Sequence, residues 1–237
     1  PRQAPPRRIG WVILALALGG FGIGTTEFVA MGLLPNIAAS LDVSEPTAGH
    51  LISAYALGVV VGAPVITAVA ARVARRQLLI WLMVAFTVGN ALSVLAPNYE
   101  TLMAARFIAG LPHGAYFGVA ALVAAHLAGP GKRARAVGRV MLGLSVANVL
   151  GVPVATWIGQ ALGWRAALGL VVVLGLVTVV ALVALVPDLK AMPASDMRSE
   201  LGALRNSQVL LTLAVGMVGF GGLFAFYSYL NTALTSV

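Results

Sequence analysis

The sequence predicts an all-α, polytopic membrane protein, and three observations carry that expectation. Of its 237 residues 60% are hydrophobic and only 9% are charged, with a mean hydropathy of +0.97. Seven apolar stretches of about 20 residues follow one another, each long enough as a helix rising 1.5 Å per residue to cross about 30 Å of hydrocarbon. The basic residues gather in alternate connections between those stretches, the pattern that orients membrane helices. A soluble domain of this length carries about one quarter charged residues, so a soluble globular enzyme is excluded. The net charge of +8 would by itself suggest nucleic acid. The bases instead lie in short clusters between apolar runs, which is a topology signal, and no nucleic-acid partner is expected.

The spans run in order from Trp11 to Leu33, His50 to Ala71, Leu78 to Ala96, Thr101 to His126, Val137 to Ile158, Ala166 to Val186 and Val209 to Leu230. The first follows PRQAPPRRIG, a basic-then-apolar opening that superficially suits a signal peptide. The apolar run continues through Met31 without a convincing small-residue cleavage site, so it reads as a membrane span. Every span is apolar on all sides, as expected of helices that face lipid or are buried throughout.

The connections orient the bundle. Arg2, Arg7 and Arg8 precede span 1, and Arg72, Arg75 and Arg76 lie between spans 2 and 3. Lys132, Arg133, Arg135 and Arg139 follow span 4, while Lys190, Arg198 and Arg205 lie between spans 6 and 7. Only Arg106 and Arg165 fall elsewhere, and the opposite connections carry Asp42, Glu45 and Glu100. The N-terminus and the basic connections are therefore expected in the cytoplasm of a bacterial inner-membrane protein. Trp11 and Trp81 are placed at that interface, and Tyr99, Trp157 and Trp164 at the other. The short connections at 97–100 and 159–164 predict antiparallel hairpins of spans 3 with 4 and 5 with 6.

The longest connection is polar and contains Pro187 and Pro193. It divides the chain into a six-helix bundle over 1–187, a cytoplasmic linker over 188–207, and span 7 over 208–237. Six spans plus one read as a first bundle followed by the opening helix of a second, an incomplete twelve-helix architecture. A genuine seven-helix protein is the alternative, although span 7 has no Lys for a retinal Schiff base.

Several chemistries have no basis here. Cysteine is absent, and His50, His113 and His126 are dispersed, so no metal site is expected. No GxxxxGK[ST] loop is present to drive ATP-powered pumping, and no cofactor is called for. Asp188, Asp196 and Glu200 read as solvated linker charges. No nucleophile–base pair suggests an enzyme.

Within the spans, Glu27 in GIGTTEFVAMGLL and Arg106 in AARFIAG are the firmly intramembrane charges. Each costs at least about 2.5–3.5 kcal/mol at a helix centre and is expected to pair or to face water. Both lie about 9 Å below the same boundary by helix rise, so contact between them is possible. One reading makes Glu27 a desolvated carboxylate, moderated by Arg106, that takes or releases a proton as its exposure changes. The other makes the two a permanent ion pair tying helices together. Arg106, Ala109, His113 and Phe117 share one helix face and could line a cavity for an aromatic or amphipathic ligand. Equally, His113 could bond another helix. Asn90 and Asn148 carry the same two readings, and Tyr227 in span 7 is a further cavity candidate. His50 and His126 read as structural residues at membrane boundaries. Gly20 with Gly24, and Gly58 with Gly62, permit close helix approach. In span 5, Gly151 and Pro153 favour a bend, as a gating element or a static kink.

Four segments resemble the major facilitator superfamily, specifically its drug:proton antiporter branch with bacterial chloramphenicol-resistance and sugar-efflux types. GIGTTEFVAMGLLPNIAASLDVS resembles the family's first helix and following loop, with Glu27 at the acidic position. ALGVVVGAPVITAVAARVARRQLL resembles the helix 2–3 signature, RFIAGLPHGAYFG the arginine-containing helix 4 motif, and GLSVANVLGVPVATWIGQALGWRAA the helix 5 antiporter motif. Two departures stand out. Ala71 and Ala74 occupy the signature's usual acid and glycine places, with Arg72, Arg75 and Arg76 retained, and Gly151-Val152-Pro153 replaces an adjacent Gly-Pro. The resemblance implies alternating access between two six-helix bundles, with protons entering and a small hydrophobic or sugar-like compound leaving. Glu27 would be the proton-responsive group and Arg106 its partner or a cavity residue. Helix 5 would belong to the bundle interface, the expected environment being lipid and a second bundle. The alternative from another class is a non-transporting membrane scaffold or assembly partner.

Overall fold

A computed structural model describes residues 6–70, 72–189, 202 and 205–235, with side chains from residue 9 and as far as 226. The described helices are α1 (Pro6–Gly32), α2 (Leu34–Leu41), α3 (Glu45–Val69), α4 (Arg75–Leu95), α5 (Tyr99–Ala128), α6 (Arg133–Val146), α7 (Val152–Leu162), α8 (Trp164–Leu185) and α9 (Ser207–Thr235). A π-helical turn over Ala147–Gly151 joins α6 to α7 without interrupting the rod. Seven of these rods are long and apolar enough to cross a membrane, α6, the π-turn and α7 counting as one. The chain is an all-α polytopic membrane protein, as its composition predicts.

The helix starts lie earlier than the hydrophobic edges suggest, because caps rather than apolarity set them. Ser44 accepts a hydrogen bond from the Thr47 N–H, so α3 begins at Glu45 and not His50. Asn98 and Thr101 form a reciprocal capping box that starts α5 at Tyr99. Between spans 1 and 2 the connection is itself the short helix α2, which ends at Asp42 in the left-handed region (φ 53°).

Glycine decides how the rods meet. Gly58 and Gly62 lay the backbone of α3 directly on the Phe107 and Leu111 carbonyls of α5, where a Cβ would have no room. Gly143 likewise brings α6 onto the Ala17 carbonyl of α1. The α4–α5 and α7–α8 pairs pack as neighbours, and α4 also packs on α8 and α1 on α6. The larger core cluster joins Leu16, Leu79, Met83, Phe86, Tyr116 and Leu182. By contrast, α9 is exposed along its described side chains and touches α1 through Phe224, whose ring lies 5.3 Å from that of Phe28.

The four tryptophans differ in exposure. Trp11, Trp81 and Trp157 are exposed, as expected of interfacial rings, but Trp164 is 3% exposed. Its indole N–H donates to Ser40 Oγ at 2.6 Å, tying α8 to α2, and the Arg165 guanidinium covers its ring at 4.2 Å. The ring therefore packs inside the protein at the start of α8 rather than facing outward. At the basic end, Arg76 donates to the Val183 and Val186 carbonyls, both at 2.7 Å, and so closes the C-terminus of α8. Arg75 is buried and Arg72 exposed. Ala71, Lys190, Asp196, Arg198 and Glu200 lie outside the described residues.

Candidate functional site

A polar cluster sits where α1, α3, α4 and α5 converge. Thr26 on α1 is its hub. Its hydroxyl donates to Asn90 Oδ1 on α4 at 2.6 Å and accepts from Arg106 Nη1 on α5 at 3.1 Å. Arg106 Nη2 donates to the Thr26 carbonyl at 3.2 Å, using that oxygen's second lone pair. Asn90 completes its own bonding by donating to the Phe86 carbonyl. Thr26 and Asn90 are fully buried and Arg106 is 2% exposed.

On the other side of Arg106 lies Tyr55 from α3, its ring centroid 4.4 Å from the guanidinium carbon. The Tyr55 hydroxyl meets His113 Nδ1 at 3.0 Å, and the His113 ring in turn faces Phe117 at 5.4 Å. Arg106, His113 and Phe117 thus share a face of α5, as their spacing predicts. Among the described polar atoms, Arg106 Nε is buried with no hydrogen-bond partner.

Glu27 stands beside this cluster and outside its hydrogen bonds. Arg106 directs its Nη groups at Thr26, one residue earlier, and not at the Glu27 carboxylate. The permanent ion pair considered from the sequence is therefore not what holds α1 to α5. Glu27, His113 and Phe117 are half-buried, in contrast to the closed Thr26–Asn90–Arg106 core.

The remaining candidates lie apart from this network. Half-buried Asn148 donates to the Leu144 carbonyl of its own helix, at the π-turn. Gly151 ends that turn against Thr25 and the Phe21 ring, and Pro153 is exposed just beyond it. A proline cannot supply a helix-interior N–H, and the wider π-turn stands immediately before it. Tyr227 lies on α9, its side chain outside the described residues. His50 and His126 are exposed near helix ends. Two functional-site residues escaped the sequence reading, Tyr55 and Thr26. The signal for Tyr55 was its place three residues before Gly58, on the face that closes on α5.

One cavity touches the cluster and another lies apart from it. A closed void of about 10 Å³ lies among Leu33, Ile37, Leu102, Arg106 and Trp164. A groove of about 510 Å³ runs between α1 and α6, lined by Leu14, Phe21, Leu142 and Val146 with Arg139 at its rim.

Fold and site together define a class: a polytopic α-helical membrane protein with a polar cluster built around a buried arginine inside its bundle. Residues 16–236 match the Major Facilitator Superfamily model, and the chain belongs to that family. It is 46% identical over 230 residues to the inner membrane transport protein YdhP of Escherichia coli, covering 97% of this chain and 59% of that protein. It is 34% identical over 224 residues to a chloramphenicol resistance protein of Streptomyces lividans, covering 93% and 57%. The chain thus spans a little under six-tenths of the length of the curated relatives it matches. Among solved structures, the proton:xylose symporter XylE matches with a TM-score of 0.69 at 18% identity, over 77% of this chain and 45% of that one. That likeness concerns the fold.

Proposed function

We propose that the protein is a secondary carrier that exports small hydrophobic or amphipathic compounds across the bacterial cytoplasmic membrane in exchange for protons, by alternating access. The observation that carries the reading is the division of labour at the polar cluster. Thr26 takes the Arg106 Nη groups and the Tyr55 ring covers the guanidinium, so the half-buried Glu27 carboxylate has no hydrogen-bond partner among the described residues. An intramembrane acid in that position has the chemistry of a proton relay. A solute or a second bundle that covers Glu27 would favour its neutral form, and opening to water would favour the carboxylate.

The names of relatives point the same way: inner membrane transport, chloramphenicol resistance and, in Mannheimia succiniciproducens, probable sugar efflux. The arginine-rich 2–3 connection and the π-turn before Pro153 are assigned to the conformational change. Residues 1–187 act as one bundle, 188–207 as a cytoplasmic linker, and 208–237 as the first helix of a second bundle, with the N-terminus cytoplasmic. The test is proton movement on addition of chloramphenicol to sealed inside-out vesicles holding the full chain. The wild type should acidify or alkalise the lumen in a solute-dependent way, and Glu27→Gln should abolish that signal while folding normally. Full coupling by the Gln variant overturns the role of Glu27, and no solute-dependent signal from the wild type favours a scaffold.

A further inference from the structure

Tyr55 and His113 have no task in the proton reading beyond their place beside Arg106. Tyr55 is 3% exposed, yet its hydroxyl is aimed across to another helix, at His113 Nδ1. The direction of that bond follows from what lies on the phenol ring. The Arg106 guanidinium, 4.4 Å from the centroid, draws electron density from the ring, which strengthens the O–H as a donor and weakens the oxygen as an acceptor. Nδ1 then accepts and carries no hydrogen, so a neutral imidazole holds its hydrogen on Nε2. Nε2 has no hydrogen-bond partner among the described residues and is not among the buried atoms left unsatisfied, so it is accessible. Beside it stands the half-buried Phe117 ring, 5.4 Å from the imidazole.

We propose that Tyr55 is a positioning residue that locks His113 in the Nε2–H form, and that this N–H with the Phe117 ring is a subsite reading an uncharged oxygen acceptor on a ring-bearing solute. The acceptor is a carbonyl, ether or hydroxyl oxygen. The proposal rests on the carrier reading for its ligand, but its test needs no proton flux.

The experiment is nitrogen NMR of the full chain in detergent with its three histidines labelled. His113→Gln assigns the His113 signals, and replacing the exposed His50 and His126 together assigns them should that variant fail to fold. The expected spectrum has a bare Nδ1 and a protonated Nε2 at His113, and Tyr55→Phe, which keeps the ring under Arg106, should release the residue into a mixture of tautomers. Chloramphenicol, which joins hydroxyls and an amide carbonyl to an aromatic ring, should shift the Nε2–H signal. Naphthalene, an uncharged ring system without an oxygen acceptor, should not. Chloramphenicol affinity should fall about fivefold in Tyr55→Phe, the size of a weakened neutral hydrogen bond. A wild-type Nδ1–H form or mixture, a spectrum indifferent to Tyr55→Phe, or an Nε2 signal untouched by chloramphenicol each overturns the proposal. Failure of Glu27→Gln to stop proton movement would leave these signals unchanged, which separates the two readings.

Discussion

The polar cluster has two sides that share α1 and α5. On the closed side Thr26, Asn90 and Arg106 are buried, and three hydrogen bonds link α1, α4 and α5. On the open side Glu27, His113 and Phe117 are half-buried, and His113 reaches the closed side through one hydroxyl of Tyr55. The difference teaches that a charge inside a bundle need not be balanced by the nearest opposite charge. Neutral dipoles and a ring face hold Arg106, and the acid next to its partner is left available. The closed side is architecture. The open side is where chemistry has room.

The open side hangs on the seam between α3 and α5 through Tyr55, and the largest effect should come from opening that seam. Gly62→Leu would drive a side chain into the Leu111 backbone, which cannot swing aside, and should cost about 3 kcal/mol of stability. Thermal unfolding in detergent measures it, and an unchanged midpoint would mean that the seam does not carry the cluster. Next in size is the contrast between the two charges. Arg106→Met should cost about 2 kcal/mol through lost charge-assisted bonds, whereas Glu27→Gln should stay within about 0.5 kcal/mol of the wild type. Equal losses in denaturant titrations would indicate an ion pair and erase the comparison.

Asn90→Leu and Thr26→Val should each cost about 1 kcal/mol or less, in keeping with hydrogen bonds between membrane helices. Because both residues share one network, the double variant should lose less than the two single losses combined. Additive losses would show that Thr26 and Asn90 act separately. The smallest effect is expected at Asn148→Leu, below about 0.5 kcal/mol, since its amide bonds only the Leu144 carbonyl of its own helix. A larger loss in the same unfolding assay would place Asn148 in a contact between helices.

The legibility of the site was uneven for a physical reason. Glu27 and Arg106 stand out in the sequence because a charge in an apolar run is conspicuous, and helix rise puts them at equal depth. Depth is only one coordinate. Each residue also turns by about 100°, and that rotation brings Thr26, not Glu27, to the Arg106 fork. Trp164 is a similar case: its amphipathic ring marks it in the sequence, but only the packing shows that Ser40, 124 residues away, satisfies its N–H. Tyr55 was overlooked since one aromatic in an apolar span has no distinguishing mark until its neighbours are known.

What the sequence by itself determined is everything that depends on composition and on distance along the chain. The all-α class, the number of membrane-length rods, their order and the hairpins with short turns follow from span length and loop charge. What only the tertiary structure decided is who faces whom. Thr26 with Arg106 and Tyr55 with His113 are 80 and 58 residues apart. Their meeting depends on helix azimuth and on glycines that let backbones touch, and local patterning records neither until the helices are packed together.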